Sequence, residues 1–240
     1  MKCLIFLSML VPCSQTFAQD NDLKKSELKT GNTSFYYYSS PVKSESVVIL
    51  FHDWFGVSDL SLEMADRLQG AGMDVIIMDL YKGKSAKTNQ EAGALMNSID
   101  QANMWEYIDQ VLSETGKKYD KIFIWGFSLG TLPASQTAIK NNELVDGLIL
   151  FYGNVTQDRE QIAKITFPAL MVMGAKDNPA GAIGFFNNVN EASGTARLFI
   201  YPGARHAFAQ KLFNGGANYD EQAKEASLEV AFRFLKDLTN

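Results

Sequence analysis

The sequence predicts an α/β protein: a mostly parallel central sheet with helices on both faces. Three observations lead there. Short β-rich apolar runs recur along the chain, helical repeats lie between them, and the runs are nearly continuous rather than alternating. Continuous apolar strands are what a sheet covered on both faces requires. Strict alternation of strand and helix makes neighbouring strands parallel.

The elements follow in order. Strands are predicted at 47–51, 75–78, 121–125, 148–151, 169–173 and 197–201, with 33–38 as an additional edge strand. Leu60, Met64 and Leu68 repeat every four residues after Ser58, which is placed as the N-cap. Met104, Ile108 and Leu112 define a second helix, and Leu228, Ala231, Leu235 and Leu238 a closing one. The segment 85–105, with Met96 and Trp105, reads either as a packed helix or as part of a pocket wall. In such sheets ligands bind at the carboxyl ends of the strands. The residues just after each run are therefore the ones that matter.

The ends and the composition narrow the function. Residues 1–18 read as a secretory signal peptide: Lys2 precedes an apolar run far shorter than the ~20 residues of a membrane span, and the leader ends on Ala18. Export to a periplasm or beyond is the expectation. Residues 19–31 are polar and read as a flexible arm, leaving 32–240 as a single domain. Both cysteines, Cys3 and Cys13, fall in the leader, so no disulfide is expected. With His52 and His206 the only histidines, no metal is expected either. The net charge of −5 and the lack of a Lys/Arg cluster argue against nucleic acid as a partner.

Three strand ends carry chemistry. After 121–125 comes Gly126-Phe127-Ser128-Leu129-Gly130, a G-x-S-x-G between a strand and a helical stretch. Such a sharp turn projects the serine from the sheet top at a helix N-terminus. Pro133 falls in the first turn of that helix, where its missing N–H costs little. After 169–173 comes Asp177, which read by itself is equally a helix N-cap before Pro179. After 197–201 comes Tyr201-Pro202-Gly203-Ala204-Arg205-His206-Ala207-Phe208. Alone, His206 is either a base or an ordinary loop residue. The order Ser128, Asp177, His206 is that of an α/β-hydrolase triad. A serine hydroxyl needs a base, and the base needs a carboxylate. Oxyanion donors are expected from the backbone N–H of Leu129 and of Trp54, in the loop after 47–51. His52 reads as a hydrogen-bonded structural histidine.

These segments, together with His52-Asp53-Trp54-Phe55-Gly56 and Met78-Asp79-Leu80-Tyr81, resemble the dienelactone hydrolase family of α/β-hydrolases, over about residues 47 to 210. The best-known members carry a cysteine nucleophile, where this chain has Ser128. A glutamate that governs their thiol corresponds to Asp53. Two arginines that grip their substrate's carboxylate correspond to Gly83, beside Lys82 and Lys84, and to Gln210. The resemblance implies a hydrolase without cofactors that acts on a small ester, lactone or thioester through an acyl-enzyme. Asp53 and Tyr81 are its possible substrate-site residues. Without the arginines, dienelactone itself is expected to be a poor substrate. The alternatives are a peptidase-like amide hydrolase and a binding protein that uses the fold without turnover. The oligomeric state is not readable from the sequence.

Overall fold

A computed structural model describes residues 22–192 and 194–239. The expected signal peptide lies outside them. Eight strands form one sheet: β1 (Lys24–Thr30), β2 (Thr33–Ser39), β3 (Ser46–Phe51), β4 (Asp74–Asp79), β5 (Lys121–Phe127), β6 (Gly147–Phe151), β7 (Pro168–Gly174) and β8 (Thr195–Tyr201). Their order is β1-β2-β4-β3-β5-β6-β7-β8. β3 to β8 run parallel, and β2 joins β4 antiparallel. Among the described residues are seven α-helices: α1 (Asp59–Gly70), α2 (Asn89–Asn97), α3 (Gln101–Thr115), α4 (Thr131–Lys140), α5 (Arg159–Ile162), α6 (Ala180–Glu191) and α7 (Glu221–Thr239). This is the α/β-hydrolase architecture. No helix among the described residues is long and apolar enough to cross a membrane.

Burial explains the apolar runs. Every residue of β3, β4 and β6 is buried, as are all but the first of β5 and β7. The strand order reverses at β3. Right-handed crossovers then put α1 on one face and α4 on the other. β8 is an outer strand and is mostly exposed.

Two expectations at the N-terminal end need correction. Lys24–Thr30 is not a loose arm but strand β1, paired along its whole length with β2. Its polar alternation, KKSELKT, suits an edge strand, where charged side chains discourage pairing with other chains. Leu28 packs against the core, and Thr30 at the strand end is buried. Gly31, at φ +58°, makes the tight connection to β2. Consequently 33–38 is an inner strand, since β1 covers it.

Other differences are local. Ser58 occupies the N-cap position of α1, yet its side chain makes no capping bond there. It accepts from Gln210 instead (3.3 Å). Helix α6 buries Ala182, Phe185 and Val189, three residues at helical spacing in a segment otherwise rich in Gly and Asn. The segment 85–105 holds α2 and the start of α3, with a Thr88–Glu91 capping box.

α1 and α7 are tied by charge. Lys224, 4% exposed at its side chain, donates to both Glu63 oxygens at 2.6 Å, and Arg67 joins Glu63 to Glu225. Burial pushes the Glu63 carboxyl up, but Lys224 and Arg67 together hold it below its ordinary value. A depressed carboxyl stabilises the fold above its unfolded pKa, and that contribution is lost as pH falls through the folded value. Glu63→Gln should therefore cost about 1 kcal/mol near neutrality, well below a fully buried pair because Glu63 is a third exposed. Urea midpoints of the two proteins should converge as the pH is taken down through the carboxylate range.

Candidate active site

The register places the pieces. Phe51 of β3 lies opposite Gly126 of β5, so the 52–56 loop and the 126–130 turn leave the sheet side by side. Phe127 lies opposite Phe151 of β6, and Gly174 of β7 opposite Tyr201 of β8. Five strand ends thus converge on one rim. The contact is close: a Cβ on Gly130 would sit 2.5 Å from the carbonyl oxygens of Phe51 and His52, and one on Gly126 2.6 Å from that of Gly130. Only glycine fits at either position. Ser128 between them takes φ +47°, a strained value for a residue with a side chain. Thr131 is fully buried, and its Oγ1 lies 2.7 Å from the carbonyls of both Ser128 and Asn154. Pro133 is the third residue of α4.

The structure brings Ser128, His206 and Asp177 into one hydrogen-bonded line. Ser128 Oγ is 2.8 Å from His206 Nε2, and His206 Nδ1 is 2.8 Å from Asp177 Oδ2. The partners assign the tautomer: the carboxylate can only accept, so Nδ1 carries the proton and Nε2 accepts from the hydroxyl. Asp177 Oδ1 accepts from the Asn178 N–H at 2.8 Å. Burial raises the Asp177 carboxyl, but the bonds from His206 and Asn178 outweigh it and leave the group below its ordinary value. Asp177 caps nothing. α6 starts at Ala180, whose N–H is taken by Asn178 Oδ1. Asn218 Nδ2 donates to the His206 carbonyl at 2.8 Å and steadies that loop. The ring edges of Tyr152 and Phe213 pack on the imidazole, with centroids at 5.8 and 5.4 Å.

These groups open onto a cleft of about 720 Å³. Ser128, Leu129, Trp54, Asp177 and His206 all line it. Met96 lines it as well, but Trp105, offered with it as pocket wall, does not. Trp105 packs instead against the main core.

Asp53 and Tyr81 are corrected too: neither faces the cleft. Asp53 is 3% exposed and braces its own loop. Its Oδ1 accepts from the Phe55 N–H (2.8 Å) and its Oδ2 from Gln210 Nε2 (2.5 Å). Burial raises the Asp53 carboxyl beyond what those bonds draw back. Tyr81 donates to the Trp54 carbonyl at 3.0 Å and leans on the His52 ring. His52 is buried between the Asp53 carbonyl and the Leu80 N–H. Short polar side chains behind a reactive loop support it from within, where no substrate reaches.

Two contributors, Tyr152 and Asn218, went unseen in the sequence, and a third, Gln210, was read there only as the position of an absent arginine. Gln210 ties the 52–56 loop to the segment that follows His206, because its Oε1 also accepts from the Leu212 N–H. Tyr152 follows β6 at φ +40°. A position directly after a buried strand was the available signal for it. Nothing in the sequence singles out Asn218. Among the described residues no group of three His, Cys, Asp or Glu could hold a metal ion.

Comparison with known proteins bears on the family and the fold. The model of the dienelactone hydrolase family matches residues 35–239. An Aquifex aeolicus protein named "Putative carboxymethylenebutenolidase" is 28% identical over 214 residues, spanning 83% of this chain and 91% of that one. A solved dienelactone hydrolase-like promiscuous phosphotriesterase from metagenomic libraries shares the fold, with a TM-score of 0.77 at 17% identity, covering 90% of this chain and 98% of that one.

The Asp53–Gln210 bond joins the two loops that flank Ser128. Gln210→Leu leaves a buried carboxylate short of a donor, which should lower the unfolding free energy by about 2 kcal/mol. The urea midpoint reads this directly, and an unchanged midpoint would remove Gln210 as the tie.

Proposed function

The chain belongs to the dienelactone hydrolase family, and we propose that it is an exported serine hydrolase cleaving a small carboxylic ester, lactone or thioester. One observation carries the reading: Ser128 Oγ, His206 and Asp177 form a continuous chain of two 2.8 Å hydrogen bonds at the wall of the cleft.

The chemistry proposed follows from those contacts. Ser128 Oγ attacks the carbonyl carbon as His206 Nε2 takes its proton. Asp177, held ionised, stabilises the resulting imidazolium. The tetrahedral oxyanion collapses, His206 returns the proton to the leaving group, and the acyl group stays on Ser128. Water then attacks with His206 again as base, and Ser128 is restored.

Two backbone donors suit the oxyanion. Leu129 lies in the first turn after Ser128, where N–H groups have no intrahelical partner. Trp54 supplies the second. The Asp53 carbonyl is turned toward His52 Nδ1 and the Gly56 N–H. In a trans peptide the Trp54 N–H points the opposite way.

The alternatives weaken on specific grounds. An amide hydrolase acting on free amino termini needs a carboxylate in the cleft, and Asp53 is sealed behind the loop. A binding protein without turnover has no use for the strain at Ser128. For the leader, N-terminal sequencing of the exported form should begin after Ala18.

A fluorophosphonate should add once to the purified protein, as read by intact mass, and not to Ser128→Ala. No adduct on folded protein would favour the binding-protein reading. Asp177→Asn should keep the fold and lower kcat by about 10⁴ through the wrong histidine tautomer. Unchanged kinetics would take Asp177 out of the mechanism. Dienelactone should turn over far more slowly than a neutral ester such as p-nitrophenyl acetate.

A further inference from the structure

The cleft has a chemical bias beyond the reacting groups. No Lys or Arg is among its described lining residues. The groups there that are charged or chargeable near neutrality are Asp177 and His206, and they are bonded to each other. Asp53 adds a buried carboxyl just behind the loop. Lys82 is turned away, paired with Asp100 at 3.6 Å and lying over the Phe35 ring. Gln210, buried, is spent on Asp53. A carboxylate on the substrate would lose its water and meet no counter-charge.

The rim is apolar. Met96 and Leu132 line the cleft and are still 40% and 39% exposed. Ile183, 40% exposed, is next to Ala182, which also lines it. Large apolar side chains left open at a cleft mark a surface that a ligand covers. Two of the polar neighbours are engaged: Gln157 Nε2 bonds the Val155, Thr156 and Gly181 carbonyls, and Asn178 Oδ1 accepts from the Ala180 N–H, so the polar groups left to a substrate are neutral, among them Asn154.

We infer that the cleft selects uncharged esters bearing an apolar chain, which lies against Met96 and Leu132. This rests on the serine hydrolase reading and names its substrate class. Met96, near the end of α2, and Leu132, in the first turn of α4, are then specificity-determining residues. The acyl-transfer step is the one already described, with the chain as a binding handle.

The test is two ester series on the purified protein: p-nitrophenyl esters from acetate to octanoate, and acetates of alcohols from ethanol to octanol. kcat/KM should rise by about fourfold per methylene buried in at least one series. The p-nitrophenyl half-ester of succinate should be about tenfold or more slower than the pentanoate, since its charge is desolvated without a partner. Leu132→Asp and Met96→Asp, each checked for folding by circular dichroism, should reduce the octanoate-to-acetate ratio. Turnover of acetate with no gain on lengthening in either series, or a preference for the half-ester, overturns this inference and leaves the serine hydrolase reading standing. No turnover of any ester and no fluorophosphonate adduct overturn both.

Discussion

The close crossing of the turn after β5 with the end of β3 is the constraint on which the site depends. Gly126 and Gly130 let the chain pass within contact distance of Phe51 and His52, and Ser128 is held at φ +47° between them. Because Phe51 is registered against Gly126, the loop that presents Trp54 leaves the sheet beside the serine. A side chain at either glycine would push these two strand ends apart. The serine hydroxyl, the helix start that follows it and the Trp54 loop would then lose their common focus.

A second layer, hidden from the cleft, holds that focus. Asp53 is pinned by the Phe55 N–H and by Gln210, Tyr81 is bonded to the Trp54 carbonyl, and His52 bridges the Asp53 carbonyl to the Leu80 N–H. Gln210 comes from the segment beyond His206, so one buried amide links the loop proposed to bind the oxyanion with the one carrying the proposed base. Such networks are costly when half made and rigid when complete. Here the acceptors of Asp53 are engaged on both oxygens.

The same substitution has two consequences. Where the family's best-known members are expected to carry an arginine for a substrate carboxylate, this chain has Gln210, and it is turned inward onto Asp53. The position is neutral and closed. What the cleft presents instead is uncharged surface, with Met96 and Leu132 in it, around a single Asp–His–Ser line. Charge is concentrated on the proposed chemistry and absent from the walls, which suits a neutral substrate.

Much of this was legible in the residues. The five buried strands announced themselves as continuous apolar runs because both faces of a parallel sheet must be covered. The elbow stood out because its steric demand admits few residue types, and the order of Ser128, Asp177 and His206 followed from strand ends that share one rim. Other features are long-range and leave no local pattern. β1 is a strand only because β2 offers it an edge, so its polar sequence read as an arm. Asp53 and Tyr81 sit near the site in sequence but point away from it, since side-chain direction depends on how the loop is tied. Gln210 and Asn218 matter through partners 157 and 12 residues distant. The sequence by itself determined the sheet, the turn and the candidate reactive residues, because periodicity and backbone strain are local. Only the tertiary structure decided which polar groups face the cleft and which brace it, because that is settled by contacts between segments far apart in the chain.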